Sequence, residues 1–423
     1  MRGFFWNSLI FLSIWVGIVS GGLILIQGCS QEKKEIPYPG KNVILISIDT
    51  CRADHVQPYS DSHAQTPTIK KLADEGVWFA DAVTPVPLTL PAHCSLMTGL
   101  PPILHGVRSN FNYVLNDHAV TLAELFQESG YATAGMVGSI VISRREGMSQ
   151  GFDEYDDRFT LEEFQSVQPS VERRAEKVIA SATAWLQQHQ AAPSPAPFFL
   201  FLHFYDPHMI YQPPAPFDVL YAANPYDGEI AYVDQCIGTL VRYLQSANLY
   251  DDLLIVVVGD HGEGLGDHGE KNHGLFLYEE ALRIPWILKL PKNAQRKLGV
   301  SLQQSVCIED VMPTLIDLCG LGPVPTTGMS LEPWIMNDVP VQPRNIVIET
   351  QYPIVYNWSP LYALRNSTWK YVHAPLPELF NLVEDPKEKN NLYHATDTPL
   401  SSMQSELESE LIHMADTATL DGN

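Results

Sequence analysis

The sequence has few basic residues and no closely paired cysteines, and each shortage argues against a class of protein. Lysine and arginine number 26 against 49 aspartates and glutamates, which gives a formal net charge of −23. Nucleic acids are bound through an excess of basic side chains, so no nucleic-acid partner is predicted. The six cysteines form no Cys-x-x-Cys pair, and neither a disulfide framework nor a cysteine-based metal site is predicted.

The first thirty residues have the composition of an export segment. Arg2 precedes a long apolar run from Leu9 to Ile26, and small residues then lead to Cys29. A basic start and an apolar run are typical of a secretion signal, and the letters IQGC resemble a bacterial lipoprotein lipobox, whose cysteine is lipidated. The alternative is an uncleaved membrane anchor, because the run is near spanning length. Both predict a membrane-tethered protein of the bacterial cell envelope, on the periplasmic side or the cell surface.

Apolar runs alternate with helical patterns over most of the chain. NVILISID, PFFLFLHF and DLLIVVVGD have the pattern of buried strands. The segment VTLAELFQESG between them has the pattern of a helix, with a capping box formed by Thr121 and Glu124. This alternation predicts an α/β fold with a mostly parallel central sheet and helices on both faces.

The pattern also predicts where the parts of the chain begin and end. Residues 1–29 form the signal peptide or anchor, and residues 30–40 form a polar tether. The catalytic α/β domain is predicted over 41–343. Short strand patterns in NIVIET, LYALRN and WKYVHA predict a small antiparallel subdomain over 344–395. An acidic helix and tail are predicted over 396–423.

Potential metal ligands follow the carboxyl ends of the apolar strands. They are Asp49, His208, Asp260 and His261. Ligand sites in open α/β sheets form at those ends, so we expect the four side chains to belong to one site. The stretch GDHGEGLGDHGEKNHG also contains Glu263, and it can present oxygen and nitrogen donors to one cation or two.

The stretch TLPAHCSLMTG, from Thr89 to Gly99, contains two candidate nucleophiles. Pro91 fits the first turn of a helix that Gly99 ends. Thr89 would then lie immediately before the helix N-terminus, where an anion is favoured. Beside a divalent metal, its hydroxyl can become a nucleophile; its other role would be that of a helix cap. Cys94 falls within the helix and is expected to be packed.

Five ordered motifs resemble the sulfatase family of the alkaline phosphatase superfamily. They are NVILISIDTCRADH, TLPAHCSLMTG, FFLFLHFYDPH, GDHGEGLGDHGEKNHGLFLYEEALRIPWIL and ELFNLVEDPKEKNNL. Together they cover about residues 41 to 393, nearly the whole predicted mature chain. The resemblance implies a metal-dependent hydrolase with a large α/β domain and a small C-terminal sheet.

The sequence departs from this family at the nucleophile. Sulfatases oxidise the Cys or Ser of a C/S-x-P-x-R pattern to formylglycine, whereas Thr89 holds that position here and His93 replaces the arginine. Neither Cys94 nor Cys51 fits the pattern. A threonine ester cannot release sulfate by collapsing to an aldehyde, but metal-activated water can cleave a phosphothreonine. The departure therefore favours phosphate esters.

Two further substitutions point the same way. Thr50 replaces the second of the paired aspartates typical of sulfatases, and His273 aligns with their usual lysine. With Glu263, His208 and a threonine nucleophile, this pattern resembles the phosphoethanolamine transferases. Lipoteichoic acid synthases share the threonine and the Asp-His pair, and these relatives transfer phosphoryl groups.

The resemblance also implies which residues hold the metal. Asp49, Thr89, Asp260 and His261 would hold the principal ion, and Thr89 would be both ligand and nucleophile. Glu263 is also counted among the metal ligands, as a companion of His208 and His273. A histidine among oxygen ligands favours Zn or Mn, with Ca as the alternative.

Other polar residues would act around this metal. His208 and His273 would bind the anionic group of the substrate or a second metal, and His93 would contact Thr89 or the leaving group. His203 is either a supporting or substrate contact or a strand-end histidine with no role in the site. Arg52 is either a site cation or part of a surface salt bridge.

The sequence thus predicts an exported, membrane-tethered, metal-dependent hydrolase of small anionic esters, with phosphate mono- or diesters preferred. A sulfuric ester hydrolase, as the family name implies, is the alternative. Phosphoryl transfer to an alcohol and a non-catalytic anion-binding lipoprotein are the further alternatives.

Overall fold

The computed structural model describes residues 36–159 and 173–420, with the side chains of 419 and 420 left out. The predicted signal peptide, lipobox or anchor of residues 1–29 lies outside these residues, as does most of the tether. Within the two described ranges, no helix is both long enough and apolar enough to cross a membrane.

The strands and helices alternate along much of the chain. The strands are β1 Val43–Ile48, β2 Gly76–Phe79, β3 Ala82–Val83, β4 Ala132–Val137, β5 Glu154–Asp156, β6 Phe198–Phe204, β7 Leu254–Gly259, β8 Trp286–Lys289, β9 Val300–Leu302, β10 Val306–Cys307, β11 Ile346–Thr350, β12 Leu361–Arg365, β13 Trp369–His373 and β14 Glu378–Asn381. The α-helices are α1 Pro67–Asp74, α2 Thr89–Thr98, α3 Pro102–His105, α4 Leu122–Glu128, α5 Ala175–Gln190, α6 Phe217–Leu220, α7 Pro225–Ser246, α8 Glu279–Leu282, α9 Val311–Cys319, α10 Glu332–Asn337 and α11 Leu400–Leu420.

A central sheet has the strand order β5-β4-β6-β1-β7-β8-β2-β9. Strands β5, β4, β6, β1 and β7 are parallel to one another. Strand β8 is antiparallel to β7 and β2, and β2 is parallel to β9. Ile48 at the end of β1 pairs with Phe204 of β6 and Gly259 of β7. The residues that follow these three strands therefore leave the sheet at the same edge. The predicted mostly parallel sheet is confirmed.

Helices cover both faces of this sheet, because the strand side chains alternate between two hydrophobic cores. In β1, Val43 and Leu45 join the core that includes α2, α4 and α9, whereas Ile44, Ile46 and Ile48 join the core that includes α1, α5 and α7. Each fully buried aliphatic side chain contributes about 1.5–3 kcal/mol. The central strands are thus packed on both faces, and this packing fixes the position of the sheet edge at which the site residues lie.

A second, smaller sheet confirms the predicted C-terminal antiparallel subdomain. It has the order β11-β12-β13-β14 with antiparallel pairing throughout. Helix α11 packs on one face through Met403 and Leu407, which contact a cluster containing Leu364 and Leu379. The opposite face packs, through Ala363 of β12 and other residues, on the hydrophobic core that includes α2, α4 and α9. The boundaries proposed from the sequence at 343 and 395 stay predictions.

Candidate active site

Three polar residues emerge together from the carboxyl edge of the central sheet. The N–H of Asp49 donates to the carbonyl of Phe204 (3.0 Å), which extends the pairing of β1 and β6 by one residue. The N–H of Asp260 lies 3.4 Å from the carbonyl of Ile48. His261 follows directly, and all three side chains are buried. The strands therefore bring Asp49, Asp260 and His261 into one group, as the sequence predicts.

His261 Nε2 is the point on which this group converges. It lies 3.7 Å from Asp49 Oδ1, 3.5 Å from Asp260 Oδ2 and 3.3 Å from Thr89 Oγ1. The other ring nitrogen, Nδ1, lies 2.9 Å from the carbonyl oxygen of Gly262, which can only accept a hydrogen bond. Burial, followed by the nearby His273, lowers the pKa of His261 well below its ordinary value. The Gly262 contact places a proton on Nδ1, which leaves Nε2 able to offer its lone pair to a cation shared with the carboxylates.

The turn after β1 orients one of these carboxylates. Asp260 Oδ1 accepts from the backbone N–H of Thr50 (3.0 Å) and of His261 (2.7 Å). Thr50 has a φ of 51°, which is rare for a β-branched residue. Its carbonyl accepts from the Tyr226 hydroxyl at 2.6 Å, which helps to hold this conformation. The two backbone bonds leave Asp260 Oδ2 to face His261.

The donor atoms in this group fit a divalent cation. Asp49 Oδ1 and Oδ2 and Asp260 Oδ2 are buried, and none has a hydrogen-bond partner among the described residues. Burying carboxylates without partners is costly, and burial together with the Asp49 charge raises the pKa of Asp260 well above its ordinary value. A cation held by these oxygens and His261 Nε2 removes that cost. The family of metal-dependent hydrolases to which the motifs point uses a cation of this kind.

Helix α2 carries the predicted nucleophile into the same group. Thr89 is the first residue of α2 and Leu88 is the N-cap, so Thr89 lies one position further into the helix than predicted. The N–H of Leu90 donates to Asn110 Oδ1 at 2.9 Å, and Gly99 ends the helix at a φ of 65°. The N-terminal end of α2 thus lies beside His261, one of the candidate metal ligands, and the helix dipole favours an anion there.

Cys94, the other candidate nucleophile, is packed inside the protein. It is fully buried, and its Sγ lies 3.8 Å from the sulfur of Met148. Burial raises the pKa of the Cys94 thiol. A buried thiol of high pKa is a poor nucleophile, in agreement with the packing role expected for it.

His93 is fully buried and contacts the backbone of Thr89. Its ring nitrogens contact the carbonyl oxygen of Thr89 (Nδ1, 2.7 Å) and the hydroxyl of Ser47 (Nε2, 2.8 Å). Its Nδ1 is also 3.7 Å from Asp260 Oδ2, and the side chain is fully buried. The predicted contact with Thr89 is therefore through the backbone, and burial, with His203 adding to it, lowers the pKa of His93 to about 3.

His203 supports the opposite carboxylate. Its Nε2 lies 3.6 Å from Asp49 Oδ2, and its ring makes an edge contact with His93 at a centroid distance of 4.9 Å. The two histidines form a buried layer under the carboxylates. Of the two roles considered for His203, the geometry favours support of the site.

A second group of polar residues lies on the more exposed side of the site. The ring of His273 lies 4.3 Å from that of His261 and 5.3 Å from that of His208, measured between centroids. His208 Nδ1 lies 2.8 Å from the Tyr205 hydroxyl. The structure therefore brings both predicted anion-binding histidines beside the metal-type ligands.

Glu263 belongs to this second group. One of its oxygens lies 3.0 Å from His273 Nδ1, and the other accepts from the Tyr211 hydroxyl at 3.0 Å. Burial lowers the pKa of His273, but the Glu263 carboxylate outweighs it and the net shift is upward. The structure thus brings Glu263 to His273, one of the two histidines of which it is the expected companion, and its role as a metal ligand stays a prediction.

Arg52 is engaged in salt bridges. Its guanidinium contacts Asp54 (2.9 Å) and Asp267 (3.0 Å), and it also donates to the carbonyl of Glu263 (3.2 Å). Of its two predicted roles, the structure favours the salt bridge, although the side chain is buried. Through these bonds Arg52 holds the loop that carries Glu263.

Three supporting residues were missed by the sequence analysis: Ser47, Asn110 and Tyr211. The sequence could have indicated Ser47, because it is the one polar residue in the apolar run of β1. Asn110 and Tyr211 lie in segments without a strand or helix pattern, and only the fold brings them to Leu90 and Glu263.

Comparisons with known proteins identify the family of the chain. The sequence model of the Sulfatase family matches residues 41–321, and that of the C-terminal part of N-sulphoglucosamine sulphohydrolase matches 266–417. An ulvan-active sulfatase of Formosa agariphila is 24% identical over 88% of this chain and 80% of its own length. A multifunctional alkaline phosphatase superfamily protein, PehA, of Trinickia caryophylli is 25% identical over 83% of this chain and 91% of its own length.

A solved structure supports the same fold. The phosphonate monoester hydrolase of Agrobacterium radiobacter superposes with a TM-score of 0.74 at 19% identity, covering 89% of this chain and 96% of its own. At that identity the likeness shows the fold alone. The family match over most of the chain shows more: this chain is an ester hydrolase that belongs to the sulfatase family of the alkaline phosphatase superfamily.

Proposed function

We propose that this hydrolase cleaves its ester with the Thr89 hydroxyl as the nucleophile. The observation that carries the proposal is the position of Thr89 Oγ1, 3.3 Å from His261 Nε2 and at the start of α2. A divalent cation in this group would stabilise the deprotonated hydroxyl, which makes it a stronger nucleophile at neutral pH.

The remaining residues would bind the substrate and support the nucleophile. His208 and His273 lie on the exposed side and would bind the anionic oxygens of the ester. Thr89 Oγ1 would attack the central sulfur or phosphorus, the alcohol would leave, and water would cleave the resulting Thr89 ester. Glu263 holds His273 in place through the 3.0 Å contact.

Sulfuric esters are the leading substrate class. Both matching family models and the relative from Formosa agariphila carry sulfatase names. The comparisons thus support the sulfuric ester alternative better than the phosphate mono- or diesters that the sequence analysis preferred. On this route Thr89 would carry a sulfate ester that water must cleave at sulfur.

Phosphate and phosphonate esters are the second candidate. Thr89 replaces the residue that sulfatases convert to formylglycine, and a threonine ester of phosphorus has a direct hydrolytic route. Similarity to PehA and to a phosphonate monoester hydrolase fits this candidate as well.

The identity of the metal and the location of the protein are part of the proposal. His261 beside two carboxylates favours Zn or Mn over Ca, and His208 with His273 offers a position for a second metal. The sequence of residues 1–29 supports export and tethering to the bacterial envelope, through Cys29 or an uncleaved anchor. Mass spectrometry of the mature N-terminus would distinguish a lipidated Cys29 from an intact Met1 segment.

The substrate class can be tested with the full chain, loaded with Zn or Mn. Turnover of an aryl sulfate, an aryl phosphate, an aryl phosphonate monoester and a phosphate diester is compared, with Asp260→Asn as the inactive control. We expect the highest kcat/KM on the aryl sulfate. A higher value on a phosphorus ester would replace the leading class with the second candidate, and no turnover of any ester would reject the proposed function.

A further inference from the structure

A second group of metal-type donors lies apart from the residues assigned to the active site. His55, His63 and Asp227 each bring one donor atom to within 4.8 Å of the other two. His55 ends a short 3-10 turn, Ala53–His55, and Asp227 lies in the first turn of α7. Neither the motifs nor the proposed reaction assigns a role to these three residues.

Both histidines direct the same ring nitrogen at one carboxylate. His55 Nδ1 lies 2.6 Å from Asp227 Oδ1, and His63 Nδ1 lies 3.5 Å from Asp227 Oδ2. The two rings are stacked, with centroids 3.9 Å apart and an interplanar angle of 28°. Ligands that are each about 2.0 Å from a tetrahedral ion lie roughly 3.3 Å apart. The observed separations lie on either side of that value, and the stacked rings would have to turn so that both nitrogens face one ion.

The surroundings hold the carboxylate in place and leave one side accessible. Asn224 Nδ2 donates to Asp227 Oδ2 at 2.9 Å, and the side chain of Asp227 is buried. His55 is buried too, with its ring against the edge of Tyr226 at 5.1 Å. The side chain of His63 is 33% exposed, which leaves room for a water or another solvent ligand.

We propose that His55, His63 and Asp227 form a second divalent-metal site, selective for zinc-like ions and separate from the catalytic group. Two imidazole nitrogens and one carboxylate oxygen are a ligand set that zinc prefers, with a fourth position taken by water. The bound ion would join the turn after β1, the segment at His63 and the start of α7.

Tyr226 connects this site to the active site. Tyr226, next to Asp227, donates its hydroxyl to the carbonyl of Thr50 at 2.6 Å and accepts from the N–H of Arg52 at 2.9 Å. Thr50 in turn donates to Asp260. The ion would therefore stabilise the turn after β1, which holds Asp260 through the N–H of Thr50. The ion itself would not contact the ester.

The test measures bound zinc and thermal stability in the full chain, stripped with a chelator and reloaded with Zn²⁺. The variants are His63→Ala, the exposed control His118→Ala, and each of these combined with Asp260→Asn to weaken the catalytic site. We expect His63→Ala to bind about one equivalent less zinc than His118→Ala in both backgrounds. We also expect the rise in Tm on adding zinc to the Asp260→Asn protein to be lost with His63→Ala.

Equal zinc binding by His63→Ala and His118→Ala would overturn the proposal, leaving only a hydrogen-bonded His–Asp pair. Asp227→Asn provides a second variant if the first is unstable, and the visible spectrum of the Co²⁺-loaded protein provides a second readout. We expect the part of that spectrum contributed by the His55, His63 and Asp227 site to be absent from both variants, whereas any part contributed by the catalytic group stays. Because zinc is counted with the catalytic group weakened, the result does not depend on whether the ester hydrolase proposal holds.

Discussion

Glu263 supports the exposed side of this site through two side-chain contacts. Its two oxygens are engaged by His273 and Tyr211, each at 3.0 Å. The carboxylate thus fixes the ring of His273 and favours its cationic form, which suits a residue that binds an anionic ester. We describe Glu263 as a positioning residue.

Replacing this carboxylate provides the first prediction. Glu263→Gln should raise KM and lower kcat/KM by about tenfold to a hundredfold, because supporting partners of this kind contribute that much. Steady-state kinetics measures the effect, and Tyr211→Phe, which removes only the neighbouring hydrogen bond, is the matched control with a smaller loss. Unchanged kcat/KM in Glu263→Gln would show that His273 does not need this partner.

At the scale of elements, the start of α2 depends on a residue from another segment. Asn110 accepts the N–H of Leu90 at 2.9 Å, which satisfies one of the free donors of the helix N-terminus. Asn110→Ala should cost about 1 kcal/mol of stability and lower kcat/KM by about tenfold or more, because Thr89 would be less well placed. Asn110→Asp retains the acceptor and should restore most of the activity; equal losses in both variants would contradict this role.

Helix α7 is joined to α1 by a buried carboxylate that makes stability depend on pH. Asp234 accepts from the N–H of Thr68 (3.1 Å) and Ile69 (2.8 Å). Burial raises the pKa of Asp234 from 3.8 to about 6, although these N–H bonds lower it. The folded state therefore favours the protonated acid. The contribution of the protonated Asp234 to the stability of the folded state is fully present below pH 3.8, and it is lost as the pH rises through about 6.

The upward shift in the pKa of Asp234 provides the third prediction. The stability of the native protein relative to Asp234→Asn should fall by up to about 3 kcal/mol between about pH 4 and pH 7, at roughly 1.4 kcal/mol per pKa unit. Thermal unfolding of both proteins across this range measures the change, with the exposed Asp218→Asn as control. A difference in Tm that is independent of pH would contradict the argument.

At the scale of the whole molecule, we expect the catalytic group to couple metal binding to folding. Asp49 and Asp260 are buried with oxygens that lack partners in the described part of the chain. Without a cation these carboxylates repel each other and destabilise the fold. The native protein is therefore expected to depend on a metal for stability as well as for activity.

Chelation tests this coupling. A chelator should lower the Tm of the native protein by several degrees. Asp260→Asn removes one of the two charges, so this variant should have a higher Tm than the native protein in chelator and a smaller rise on adding metal. If the native protein and Asp260→Asn respond to the chelator alike, the carboxylates are not the metal ligands.

Much of this fold could be predicted because β1, β6 and β7 are continuous apolar runs that end in polar residues. Asp49 and Asp260 directly follow such runs, so their meeting at one sheet edge follows from the parallel arrangement. The four-residue strands β8 and β14 are too short for a periodic pattern to identify.

The partners within the site could not be predicted in the same way. Asn110 and Tyr211 reach Leu90 and Glu263 across 20 and 52 positions of the chain. Periodicity describes only local structure, and the loops that carry these side chains have none.

The most direct test of the central claim compares Thr89→Ala, Thr89→Ser and the native protein on the best ester substrate. Metal content and Tm are measured alongside kcat/KM. We predict a loss of at least about a hundredfold in Thr89→Ala and substantial activity in Thr89→Ser, because serine retains the hydroxyl. If Thr89→Ala retains native kcat/KM with native metal content, Thr89 is not the nucleophile.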